Sequence, residues 1–169
     1  MLSNPIALNS IRFVLLVLVQ VLVFNHLNFF GYINPLVYVL FFYWYPIREN
    51  RAVFIVVSFA LGLVIDLFLD TLALHALVAT TLAYARPIIM RFCFGVNFDF
   101  QGFNFKNSTQ IQRVTFLFLL ILLQHLLFFS IEILSIAHIL LILKKILFTS
   151  VATFVLCLLL SSLFSIENK

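Results

Sequence analysis

Residues 52–90, AVFIVVSFALGLVIDLFLDTLALHALVATTLAYARPIIM, form two long apolar runs parted by a short stretch that carries Asp66, Asp70 and His75. The runs 52–69 and 72–90 each approach the ~20 helical residues needed to cross a bilayer core of about 30 Å. They read as two membrane spans joined by a very tight turn, with the acids where they meet. The rest of the chain repeats the pattern: 64% of the 169 residues are hydrophobic, 9% are charged, and mean hydropathy is +1.21. A soluble domain is only about half apolar, so the expected class is an all-α integral membrane protein.

Working outward, further apolar runs occupy 11–29, 34–47, 114–131 and 139–164, giving a single transmembrane domain over 1–169 with about six helices. The second run is the weakest. Its apolar part, Leu36 to Tyr45, is closer to a buried or re-entrant segment than to a full crossing, although Asn34 and Pro35 make a good helix start. With six crossings and an inner N-terminus, Arg12, Arg48, Arg51, Arg86, Arg91, Lys106, Arg113 and Lys169 share the cytoplasmic side, eight of the ten basic residues. The positive-inside rule then supports both termini being cytoplasmic, and it also supports a crossing by the second run, whose loss would move Arg48 and Arg51 outside. The first run follows Arg12 without a small-residue cleavage site, so it reads as a retained span.

The net charge of +4 is spread over several loops and forms no single patch, which argues against nucleic acid. Cys93 and Cys157 lack the spacing of a disulfide framework or a metal site. The gap from Arg91 to Arg113 is a turn-rich connector whose Phe94, Phe98, Phe100, Phe103 and Phe105 are expected at the lipid interface.

Asp66 and Asp70 are one helical turn apart and would share a face if the helix continued, so two like charges would meet. A helix end between them, a proton, or a cation alongside relieves the conflict. Lys144 is expected at a depth similar to that of Asp66, which suggests an interhelical ion pair; the alternative is that Lys144 and Lys145 snorkel to the head groups. Asp66, Asp70 and His75 are also metal-ligand residue types, but no second histidine lies a turn from His75, and no nucleophile is paired with a base. The expectation is a non-enzymatic protein without cofactor or metal. Arg86, followed by Pro87, stands near the inner end of the fourth span, either as a packing clamp or as a snorkelling anchor. Gln20, Asn25, His26, Gln124 and His125 mark inward faces, bonded between helices or lining a solute cavity.

The series Gly62, Leu63, Asp66, Asp70, His75, Ala83, Tyr84, Arg86 and Pro87, preceded by Phe29, Phe30, Gly31 and Pro35, resembles the rod shape-determining membrane proteins of the MreD family, in the form found in Bacteroidetes. The resemblance runs end to end in length and span count, with its motif confined to 62–87. One departure is Ala73, where the family pattern usually has glycine. The resemblance implies a non-enzymatic scaffold subunit of the inner-membrane cell-elongation machinery, controlling cell shape and peptidoglycan synthesis. It implies direct binding of the membrane helix of MreC, with MreB, RodA and a penicillin-binding transpeptidase in the complex; a homo-oligomer is compatible with it. It also implies a compact six-helix fold resembling the substrate-binding subunits of energy-coupling factor transporters; Gly62, Asp66, Asp70, His75, Arg86 and Pro87 from its motif, with Lys144 from its depth opposite Asp66, are the candidate structural or partner-coupling positions. The competing function is a vitamin-type transporter membrane subunit with Gln20, Asn25, His26, Gln124 and His125 around the solute.

Overall fold

The computed structural model describes residues 5–26, 33–47, 49–95, 105, 108–133 and 139–165. Among them are α1 (Pro5–Leu22), a 3-10 turn (Phe24–His26), α2 (Val39–Trp44), α3 (Arg51–Leu69), α4 (Leu74–Phe94), α5 (Gln110–Ile133) and α6 (Ile139–Ser165). α3, α4, α5 and α6 are each long and apolar enough to cross a membrane, and α1 is a shorter apolar helix. The fold is all-helical, built on these four candidate spans.

Local chemistry sets the helix ends. The Asn50 side chain accepts from the Ala52 amide at 2.8 Å and starts α3. Thr109 and Gln112 form a reciprocal capping box at the start of α5, the Gln112 amide donating to Thr109 Oγ1 and the Thr109 amide to Gln112 Oε1. α4 ends at Gly95, whose φ of +78° is left-handed.

Two sequence-based expectations are corrected. The first helix is Pro5–Leu22, so it starts ahead of the expected 11–29 and gives way to a 3-10 turn at Phe24–His26; residues 27–29 of that run lie outside the described residues. The second run is not a spanning helix: only Val39–Trp44 is helical, about 9 Å of rise. It is enclosed instead. Each residue from Val37 to Phe42 is at most 2% exposed, and Phe41 and Phe42 pack on Phe54 of α3 while Phe13 of α1 meets Phe41. α2 forms the centre of the core, running back alongside α1, with Val37 beside Gln20 and Trp44 beside Arg12. Irregular backbone at membrane depth is tolerated only inside protein, which is where this segment lies.

α3 and α4 form a close antiparallel hairpin. Ala76, Ala79 and Ala83 of α4 are buried, and Gly62 and Ser58 are buried on α3. Small residues let the backbones approach. A Cβ on Gly62 would lie 2.5 Å from Ala76 Cα and 2.6 Å from Ala76 N. Phe94 and Phe105 do not sit loosely at an interface: both pack on Phe116, and Phe105 also on Tyr43. Phe98, Phe100, Phe103, Arg48, Lys106, His138, Lys169 and the Phe29–Gly31 part of the motif lie outside the described residues.

Candidate functional site

The hairpin turn resolves the conflict between the two acids. α3 stops at Leu69, and Asp70 takes a left-handed conformation, φ 52°, ψ 33°, with its amide bonded to the Asp66 carbonyl. Asp70 is exposed while Asp66 is only 4% exposed, so the carboxylates do not share a helical face. Asp66 Oδ1 accepts from the Thr71 hydroxyl and from the His75 amide at 2.9 Å, and Oδ2 accepts from the Ala76 amide at 2.8 Å. These are first-turn amides of α4, whose own N-cap residue, Ala73, has no side chain that can accept. Asp66 therefore caps the neighbouring helix from α3, and the positive end of that helix dipole faces its charge.

The expected Asp66–Lys144 pair is thereby corrected. Lys144 is exposed, and the neighbouring Lys145 instead pairs with Glu132, Nζ to Oε2 3.4 Å, linking α6 to α5 with Phe129 5.5 Å from the ammonium. The reason is direction: Asp66 turns toward its own hairpin, where three donors satisfy it. His75 continues the network inward. Its Nδ1 lies 3.2 Å from the hydroxyl of Tyr38, the residue just before α2, and its ring meets Tyr38 at 5.6 Å and Phe128 of α5 at 4.8 Å.

Both ends of the short α2 are completed by side chains from other helices. At its start, Gln20 of α1 donates to the Pro35 carbonyl at 3.1 Å and accepts from the Val37 amide at 2.8 Å. The Leu36 amide donates to Thr153 Oγ1 of α6 at 3.2 Å, and Thr153 lies 3.1 Å from His125 Nε2 of α5. His125 Nδ1 is 2.8 Å from the Ile121 carbonyl, which cannot donate. The proton is thus on Nδ1, and Nε2 accepts from Thr153. At the other end, Arg86 of α4 donates to the Tyr45 carbonyl at 2.6 Å, and Arg12 donates to the Trp44 carbonyl at 3.2 Å. Arg86 is 5% exposed and lies 5.0 Å from the Phe54 ring, which is the clamp geometry and excludes snorkelling. Pro87 removes an amide from the next turn of α4; close by, the Tyr84 carbonyl takes an extra bond from Arg51 at 3.3 Å.

The structure thus joins Gly62, Asp66 and His75 at the hairpin and places Arg86 and Pro87 at the opposite end, with Asp70 at the surface and Lys144 apart. Gln20, Gln124 and His125 are fully buried; the His26 side chain lies outside the described residues. The Gln124 carboxamide is close to the Tyr38 hydroxyl but makes no hydrogen bond of full geometry. Sequence reasoning missed Thr153 and Arg12; a threonine inside an apolar run was the available signal for the first. Among the described residues, no three His, Cys, Asp or Glu side chains are placed to hold a metal ion. No family model, curated protein or solved structure matches the chain.

Proposed function

We propose that this chain is a non-enzymatic scaffold subunit of the bacterial cell-elongation machinery, of the MreD kind, in the cytoplasmic membrane. The supporting observation is how the interior polar groups are used. Asp66 completes the first turn of α4, and Gln20, Thr153, Arg12 and Arg86 complete the two ends of α2. These groups hold backbone in place, as a bundle that works through its outer faces requires. The gathering of Arg12, Arg51, Arg86 and Arg91 toward one end, read by the positive-inside rule, favours that end as cytoplasmic, and with it both termini. A compact bundle resembling the substrate-binding subunits of energy-coupling factor transporters belongs to the same proposal, as does MreC as direct partner and MreB, RodA and the transpeptidase as members of the complex.

The transporter reading is weaker because Gln20, Asn25 and His125, three of its five candidates, are engaged within the protein, although the buried Gln124 carboxamide has no hydrogen-bond partner among the described residues. The decisive experiment is gentle detergent purification of tagged protein from its native host, with mass spectrometry of everything retained. The expected result is MreC together with elongation enzymes. Recovery of a transporter ATPase or a bound vitamin would overturn the proposal.

A further inference from the structure

At the end of the molecule that carries the arginines, a cleft of about 260 Å³ opens between Tyr45, Pro46, Ile47 and Glu49, the first turn of α3 and the second half of α4. Its wall includes Arg51, Arg86 and Arg91, with Glu49 the one acidic group among the described residues that line it, and Tyr45, Phe54, Pro87 and Met90 supply apolar surface. Arg86 is the floor, buried beneath the Phe54 ring, and its Nε has no hydrogen-bond partner among the described residues. Arg51 and Arg91 are exposed at the mouth, and Arg51 opens α3, whose N-terminal dipole adds positive potential.

We propose that this cleft binds the phosphodiester of an anionic phospholipid. Among the described lining residues Arg51 and Arg86 alone outnumber the single carboxylate of Glu49, the buried Arg86 Nε is open, and guanidinium forks match phosphate oxygens. A soluble phosphate would satisfy the same charge. The adjoining surface favours a lipid: Tyr84, Ile88 and Phe92 of α4, spaced at four residues, are 62%, 68% and 78% exposed and form one apolar stripe. The Arg51 guanidinium lies 5.0 Å from the Tyr84 ring, so the cleft and the stripe are contiguous. Acyl chains on the stripe would bring a head group to the cleft. Basic recesses between membrane helices are used in this way for anionic head groups.

The test is native mass spectrometry of the delipidated full chain titrated with phosphatidylglycerol, phosphatidylcholine or inorganic phosphate. Phosphatidylglycerol is expected to bind at least about tenfold more tightly than phosphatidylcholine, and Arg91→Gln to reduce that preference by about fivefold. Arg51→Gln is the second variant, expected to act in the same direction, and the melting temperature of each lipid-free variant reports whether it is folded. Equal retention of the two lipids, or an undiminished preference in both folded variants, would overturn the proposal. Displacement of phosphatidylglycerol by millimolar inorganic phosphate would overturn the lipid assignment, and a co-purifying protein that blocks the lipid would assign the cleft to an acidic partner instead.

Discussion

At the scale of single residues, the hairpin makes opposite demands at two positions only eleven apart. Gly62 has no room for a side chain, because the α4 backbone fills the space a Cβ would take. Gly62→Ala must push the helices apart, and a loss of about 1–3 kcal/mol is expected, read as a lower melting temperature in detergent. Ala73 carries a Cβ that its backbone would do better without, since its φ of 57° lies in the left-handed region. Ala73→Gly is expected to stabilise by about 1 kcal/mol, measured in the same way. The MreD resemblance implies glycine there, and the torsion gives the physical reason for that preference. Asp66→Ala would strip partners from two buried amides and is expected to cost about 2–4 kcal/mol, with Asp66→Asn, which keeps one acceptor oxygen, costing less. Asp66→Ala melting like the parent protein would refute the capping role.

At the scale of elements, the four long helices were legible because a crossing is a length of apolar sequence: the expected 52–69, 72–90, 114–131 and 139–164 lie close to the observed α3 to α6. The second run was not legible as what it is. Its backbone is completed by Gln20, Thr153, Arg12 and Arg86, residues far away in the chain, and a run of apolar letters does not record who satisfies its ends. The partner of Asp66 was hidden for the same reason. A buried acid announces that it needs a donor, and a lysine is visible in sequence, whereas backbone amides look the same everywhere. Thr153 is the sharpest test of this account. Thr153→Val is expected to leave the Leu36 amide and His125 Nε2 unpaired, at about 2–4 kcal/mol, and Thr153→Ser to recover most of the loss; thermal melts of the two variants give the comparison.

At the scale of the whole molecule, the core is apolar and holds a few bonded polar groups, and the outer surface of the long helices is apolar as well. α5 is the most enclosed of the four long helices and α6 the barest, with Leu140, Leu143, Leu147, Val151, Val155 and Leu159 at least half exposed. That surface suits lipid, and under the proposed function it is also where a single partner helix would be met. Replacing Leu147 and Val151 with tryptophan is expected to leave stability within about 1 kcal/mol of the parent, read from the melting temperature, while reducing recovery of MreC in the purification. Unchanged recovery would move the contact to another helix.

The arrangement around α2 also constrains how the chain is made. The amide of Leu36 is completed by a hydroxyl 117 residues further on, and the carbonyl of Tyr45 by a guanidinium 41 residues further on. A segment whose ends are bare in hydrocarbon cannot settle there by itself. During synthesis, α2 must wait in water, in the translocation machinery or in a loosely held state until α4 and then α6 have emerged. A helix more than a hundred residues further along the chain thus completes the core of the first half, so a chain cut before Thr153 would leave the entry to α2 without its partner rather than form a smaller copy of the same bundle.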